Sequence, residues 1–156
     1  MSSCLLMLFL FCKAGAGETN IVLRNDPRLL QGARTIQISV SSVSRANFQV
    51  VSELSLKKRG IPLVDPSQKP DLFLQLSIQT RAVADNSTEA ISVRLEVLKP
   101  VRAGDLTLVN AAIWEGSQFE LSAKAKFEQQ TMDLIRILLS EFADDFLKAN
   151  PKKLQI

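Results

Sequence analysis

The spacing of hydrophobic residues along the chain predicts two helices and four or five strands. In the longest regular stretch, residues 123–150, apolar residues recur at steps of three and four, as on one face of an α-helix. Burying a large apolar side chain stabilises a protein by roughly 1.5–3 kcal/mol, so this helix needs a partner surface. Its apolar residues are Phe127, Met132, Leu134, Ile135, Leu138, Leu139, Phe142, Phe146 and Leu147.

The middle of the chain alternates apolar and polar residues, a pattern that predicts strands with one buried face. It does so at residues 35–43, 72–79 and 91–97, and residues 61–64 add a short edge strand. The last expected strand, residues 106–114, is moderately apolar on both faces. It is therefore either a central strand covered on both sides, or its outer face meets something outside this chain.

A second helix is expected between the first two of these strands. Ser44 or Asn47 can cap its start, and Gly60 is well placed to end it. The face that we expect to point inwards consists of Phe48, Val51, Leu54 and Ser55.

These elements predict an α+β fold, a two-layer sandwich in which two helices cover one face of a mostly antiparallel sheet. The sheet has four to five strands, in the element order β-α-β-β-β-β-α. A chain of 156 residues has the length of one domain. We place that domain at residues 34–150, after an irregular lead-in at 17–33 and before a tail at 151–156.

The amino terminus has the form of an export signal. Residues 4–12 are a nine-residue apolar run, followed by the small residues Ala14, Gly15 and Ala16. The run is shorter than the ~20 residues that span a membrane as a helix, but it suits the core of a secretory signal. We predict that residues 1–16 are removed, and that the mature chain has no transmembrane span and is periplasmic or envelope-associated in a bacterium. Lipidation, an uncleaved anchor or a misassigned start are the alternatives.

Composition argues against most catalytic chemistry. The chain has no His and no Tyr, and its two cysteines, Cys4 and Cys12, fall in the predicted signal. A Ser-His-Asp or Cys-His site is therefore excluded, and zinc would lack its usual nitrogen and sulfur ligands. We expect no cofactor, no metal site and no enzyme activity.

The charges give no sign of a nucleic-acid partner. A net charge of +3 arises from 19 basic and 16 acidic residues that are mixed along the chain. Nucleic-acid binders instead concentrate Lys and Arg on one face, beside aromatic residues that stack on bases.

A few residues remain as candidates for chemistry or binding. Asp144 and Asp145 are adjacent in a predicted helix, where neighbours point about 100° apart, so a shared site is not expected. Glu115 and Glu120 fall in the expected turn before the last helix. Trp114, the single tryptophan, is either a ring that stacks on a ligand or anchors at a membrane, or a core residue beside the last helix.

The region from residue 91 to 151 resembles a family of exported bacterial proteins that have no assigned function. In that family the chain ends in a helix with an aromatic-Leu-x-x-Asn-Pro pattern, matched here from Phe146 to Pro151. The other matching pieces are Ser92–Glu96, Val101-Arg102 and Ala112–Glu115. The order of elements is more loosely similar to the amino-terminal domain of TolB and to the LptE lipoprotein. These resemblances imply partner binding at the cell envelope, without catalysis.

The sequence thus predicts an exported, non-enzymatic module that binds another envelope protein through a sheet face or an edge strand. The alternative is a carrier that holds an apolar, lipid-like ligand between helix and sheet. The candidate residues of the interaction or ligand face are Phe73, Arg94, Val109, Ile113 and Trp114.

Overall fold

The elements follow one another in nearly the predicted order. The computed structural model describes residues 25–42, 45–83, 87–103 and 106–151, with the backbone alone at 45, 46, 102, 103 and 106–109. The predicted signal peptide and both cysteines lie outside the described residues. The strands and helices are β1 (Ile36–Ser41), α1 (Arg45–Lys58), β2 (Leu72–Ala82), β3 (Thr88–Ala103), β4 (Leu106–Ala123) and α2 (Phe127–Ala149). Two 3₁₀ helices, Pro27–Leu30 and Lys124–Lys126, precede β1 and α2.

The strands form one sheet in the order β1-β2-β3-β4. β1 and β2 are parallel, joined by the crossover through α1, whereas β2–β3 and β3–β4 are antiparallel. Both helices pack on the same face, since residues of α1, α2 and all four strands share a single buried core. The predicted α+β arrangement with a mostly antiparallel sheet is confirmed.

Alternation along each strand determines which side chains enter the core. Leu72, Leu74 and Leu76 of β2 have no exposed surface, while Gln75 between them is exposed. The register places the inward residues of neighbouring strands side by side, as in Leu76 opposite Leu95 of β3. The other face of the sheet, which no helix covers, is called the open face below.

β4 differs most from the prediction. It runs on through Ala123, nine residues beyond the expected end, so Glu115 and Glu120 lie in a strand and not in a turn. A β-bulge inserts Ile113 where Val97 pairs with Trp114 and Leu98 with Ala112. The extra residue lets Ile113 and Trp114 both be buried, which explains why the alternation in this part of the sequence is blurred.

The expected short strand at 61–64 is a single bridge, in which Leu63 pairs with Ile36 of β1. The inward face of α1 also differs from the prediction. It consists of Phe48, Ser52 and Leu56, all without exposed surface, whereas Leu54 is 51% exposed. Ser52 faces the core although it is polar. A prediction from apolar residues alone places its neighbour Val51 on that face instead.

α1 ends as expected at Gly60. Its φ of 76° is favourable for glycine, and its N–H donates to Lys57 O while the N–H of Ile61 donates to Leu56 O. Since α1 begins at Arg45, Asn47 lies inside the helix, and Ser44 is outside the described residues. The two helices are tied together by Arg59, which donates to Ser140 Oγ and forms an ion pair with Asp144.

Asn150 fixes the end of α2 against the 3₁₀ helix Pro27–Leu30. Its side-chain amide donates to Leu30 O at 2.9 Å and accepts from Gly32 N–H at 2.7 Å. It also donates to Phe146 O, a carbonyl of the last helical turn. The asparagine of the Asn-Pro pattern therefore has a structural role that joins the two ends of the described chain.

Candidate interaction surface at the edge of β4

Trp114 and Ile113 lie in the core and not on a binding face. Trp114 is 4% exposed, and its ring packs edge-on against Phe142 of α2, with ring centres 5.6 Å apart. Its Nε1–H donates to Asp145 Oδ2 at 3.1 Å. Ile113 is 1% exposed. Trp114 is therefore a core residue beside the last helix, and its ring is not exposed to a ligand or a membrane.

Phe73 and Arg94 lie on the open face, on the neighbouring strands β2 and β3. Arg94 pairs in register with Ser77, four residues from Phe73. Phe73 is half-buried beside Leu98 of β3. Arg94 forms ion pairs with Glu96 at 2.8 Å and with Glu115 at 2.9 Å, and its side chain is 49% exposed. The side chain of Val109 lies outside what the structure describes. The five candidate residues thus do not form one surface, and their role in binding stays a prediction.

The acidic residues do not form a shared cleft. Asp144 pairs with Arg59, and Asp145 bonds Trp114. Glu115 faces the open face with Arg94, whereas Glu120 faces the helices and accepts from Gln130 Nε2 at 3.0 Å. Within the described part of the chain, no group of three His, Cys, Asp or Glu residues could hold a metal ion.

Two cavities lie away from the residues expected to hold a ligand. The larger, about 320 Å³, is lined by residues 31–33, 69–71 and 99–100 at the start of β2. The smaller, about 90 Å³, lies between β1, α1 and residues 63–66. None of the five candidate residues lines either cavity.

The outer edge of β1 is closed by the chain itself. The N–H of Ile36 donates to Pro62 O and its carbonyl accepts from Val64 N–H, both at 2.9 Å. Further along, the side-chain amide of Gln49 donates to Ile38 O at 3.3 Å and accepts from Val40 N–H at 3.2 Å. Four of the outward backbone groups of β1 therefore already have partners within the chain, which an added strand would have to displace.

The outer edge of β4 is closed at one point only among the described residues. The side-chain amide of Asn25 donates to Glu115 O at 2.8 Å and accepts from Glu115 N–H at 2.7 Å. The backbone groups of Glu115 therefore point away from β3. Since this direction alternates along an antiparallel strand, those of every second residue beyond it also point outwards. These residues are Ser117, Phe119, Leu121 and Ala123.

The hydrogen bond just beyond the end of β4 agrees with this alternation. The N–H of Lys124 points inwards and donates to the carbonyl of Ser87, the residue before β3, at 3.0 Å. No described residue bonds the outward backbone groups of Ser117, Phe119 and Leu121, whereas the carbonyl of Ala123 accepts from Ser122 Oγ at 3.0 Å. We call residues 117–123 the free edge of β4.

Two large apolar side chains lie on this free edge. Phe119 is 66% exposed and Leu121 is 59% exposed, and both lie on the open face. The alternate residues Glu120 and Ser122 face the helices, where Ser122 is buried and Glu120 accepts a hydrogen bond from Gln130. The free edge thus combines unpaired backbone groups with an exposed apolar pair, which is typical of a surface that accepts another chain.

Two lysines, Lys124 and Lys126, lie just beyond the carboxyl end of the free edge. Lys124 and Lys126 are exposed and follow β4 directly, and within the described residues neither forms an ion pair. Arg81 of β2 is also exposed and lies in the same row as Ala90 and Leu121. Acids near this end of β4 are Glu120, which is hydrogen-bonded, Glu89, which pairs in register with Ser122, and Glu128 in the first turn of α2.

Comparisons with known proteins concern the fold. No protein-family profile matches the chain, and no curated protein matches it. Among solved structures, 34 chains match it. The PelC dodecamer from Paraburkholderia phytofirmans is 13% identical, covers 69% of this chain and 84% of its own, and has a TM-score of 0.45.

Two lipoproteins are similar at the same level. Uncharacterized lipoprotein B from Nitrosomonas europaea is 10% identical, with 88% of this chain and 97% of that chain covered and a TM-score of 0.41. Rare lipoprotein B from Shewanella oneidensis is 12% identical, with 74% and 92% covered and a TM-score of 0.33. These neighbours do not confirm the motif at the end of the chain or the likeness to TolB and LptE.

Proposed function

We propose that the protein is an exported, non-enzymatic domain that binds another envelope protein through the free edge of β4 and the open face beside it. The observation that carries the proposal is the contrast between the two sheet edges. Pro62, Val64 and Gln49 bond four outward backbone groups of β1, whereas no described residue bonds those of Ser117, Phe119 and Leu121 in β4. Among the strand residues whose side chains the structure describes, the large apolar residues with the greatest exposure are Phe119 and Leu121 in that same stretch.

The absence of catalysis in this proposal follows from composition. The chain has no His, and the candidate acids Asp144, Glu115 and Glu120 are each engaged in an ion pair or a hydrogen bond. No described helix is long and apolar enough to cross a membrane. The carrier alternative needs a ligand cavity between helices and sheet, but the inward residues expected to line one, Ile113 and Trp114, are packed in the core. No observation favours that alternative.

Site-specific photo-crosslinking in intact cells tests the proposal. A photoreactive amino acid replaces Phe119 in one variant and Leu54 in a control. Leu54 is similarly exposed, at 51% compared with 66% for Phe119, but it lies on helix α1 and not on the sheet. We expect one protein-sized adduct from position 119 and none from position 54. No adduct at 119, or the same adducts from both positions, would contradict a binding surface at β4.

A further inference from the structure

We infer that the partner contributes an extended segment that adds to β4 as an antiparallel fifth strand, with apolar residues at alternate positions and acidic residues at its amino-terminal end. This inference rests on the proposed function and specifies the chemistry of the partner. It is argued from the direction of the backbone groups, the two faces of β4 and the charges at the end of the strand.

The backbone of the free edge provides the main contact. Ser117, Phe119 and Leu121 each direct one N–H and one C=O outwards, which gives a row of groups that another backbone can satisfy in sequence. Natural proteins protect such edges with Lys, Pro or bulges. Residues 117–123 contain no Lys and no Pro, and the bulge of β4 lies earlier, at Ile113.

The faces of β4 specify alternate residues of the added strand. In an antiparallel pair, residues opposite each other point to the same face. The partner residues opposite Phe119 and Leu121 would therefore lie on the open face, where apolar side chains cover those two. The residues between them would lie beside Glu120 and Gln118 on the helix side, where polar side chains fit. The segment is thus apolar at positions two apart and polar between.

The charges specify at which end of an antiparallel segment acidic residues fit. Lys124 and Lys126 are exposed at the carboxyl end of β4, and no described acid pairs with them. An antiparallel partner enters the free edge at this end with its own amino-terminal residues. Acidic residues there would complement the two lysines, and such complementarity selects orientation and partner.

A second copy of this chain fits less well. An antiparallel pair of two β4 strands that covers both apolar side chains places Phe119 opposite Leu121 of the copy. In that register Glu120 meets Glu120 of the copy, and like charges directly opposite each other are destabilising. The free edge therefore favours a segment of different sequence.

A synthetic peptide tests the inference on the mature chain. The probe is the acetylated peptide Asp-Asp-Thr-Val-Thr-Val-Thr-Thr, whose last residue lies opposite Ser117 when the valines lie opposite Leu121 and Phe119. Its matched control is the same peptide in reversed order, with the acids at the carboxyl end. Amide hydrogen exchange, resolved by residue, is measured with and without saturating peptide. We expect exchange at Phe119 and Leu121 to slow at least about tenfold with the probe, and the reversed peptide to bind several-fold more weakly.

Two variants separate backbone pairing from side-chain contact. Ser117→Pro removes one outward N–H at an edge position where proline is tolerated, and Ser117→Ala keeps it. We expect weaker peptide binding, by several-fold, for the first variant and unchanged binding for the second. Lys124→Glu should remove the preference for the probe over the reversed peptide.

Four results would overturn the inference. The first is no slowing at Phe119 and Leu121 with the probe, and the second is equal binding of the two peptides. The third is slow exchange at Phe119 and Leu121 without any peptide that becomes fast when residues 17–24 are deleted. That result would mean that the chain's own amino-terminal segment binds the free edge. The fourth is slow exchange that is lost on dilution, which would identify a second copy. If photo-crosslinking from position 119 succeeds while the probe fails, the proposed function stands and only the added strand is excluded.

Discussion

Gly116 lies where β4 comes closest to α2. A Cβ at this position would be 2.8 Å from Cη2 of Trp114 and 2.9 Å from Cδ2 of Leu138. Leu138 has no exposed surface and Trp114 is fixed by Phe142 and Asp145, so neither side chain has free space to move into. The absence of a side chain at 116 lets the Trp114 ring and the Leu138 side chain approach the backbone of β4 closely.

Gly116→Ala should therefore destabilise the protein, by about 1–3 kcal/mol, because the added methyl group overpacks the core. Chemical denaturation measures the change in the free energy of unfolding. The neighbouring substitution Ser117→Ala is the control, since Ser117 faces the open side of the sheet and should change stability by less than about 0.5 kcal/mol. Equal effects of the two substitutions would show that α2 does not pack on β4 at this point.

The sequence predicts burial well where apolar residues keep a strict period. The inward residues of β2 and β3 and those of α2 follow their periods and are buried. It fails at single residues whose surroundings come from distant parts of the chain. Ser52 is buried in α1 because a small side chain fits between helix and sheet, and Gly116 is required only because Trp114 and Leu138 meet there. Neither property is visible in a hydrophobic pattern.

At the scale of elements, Asp71 joins the start of β2 to the start of β1. Its carboxylate accepts from the N–H groups of Arg34 at 2.7 Å and Thr35 at 3.0 Å, and its own N–H donates to Thr35 Oγ1. The hydrogen bond from Arg34 N–H is the largest cause that lowers the pKa of Asp71 below its ordinary value of 3.8, although desolvation acts in the opposite direction. The ionised form is thus the one that the fold favours.

A lowered pKa in the folded state gives stability that is present above the unfolded pKa and is lost as the pH falls through the folded pKa. Asp71→Asn should cost about 1 kcal/mol at pH 7, at the low end for charged hydrogen bonds because the side chain is largely exposed to solvent. The difference from wild type should shrink below about pH 4. Denaturation across this pH range measures it.

Glu141→Gln provides the control for this pH dependence, since Glu141 is exposed on α2 and should change stability by less than about 0.5 kcal/mol. A difference between wild type and Asp71→Asn that stays constant from pH 7 to about pH 3 would contradict the role of the ionised carboxylate.

The bounds of elements were predictable to different degrees. Gly60 marks the end of α1 because its positive φ needs a glycine, and that property can be inferred from sequence. The end of β4 could not be placed in the same way, because Gly116 interrupts the apolar pattern and suggests a turn. Beyond it, the alternation of Gln118, Phe119, Glu120 and Leu121 was the signal that would have extended the strand and revealed the free edge.

At the scale of the whole molecule, the sheet is asymmetric in two ways. One face is covered by both helices and the other is open, and the edge of β1 is closed while β4 is paired on its outer side only at Glu115 among the described residues. The sequence predicts the first asymmetry through its alternation. It does not predict the second, because Gln49 and Asn25 close their edges by side-chain amides whose positions depend on the tertiary fold.

Amide hydrogen exchange of the mature protein, without any added partner, tests the free edge most directly. The amides of Gln118, Glu120 and Ser122 point towards β3 and should exchange at least about 100-fold more slowly than those of Phe119 and Leu121, which point outwards. Alternating protection along residues 117–123 is the result that the structure predicts. Uniformly slow exchange along this stretch would show that the edge of β4 is already paired, and would contradict its assignment as the binding surface.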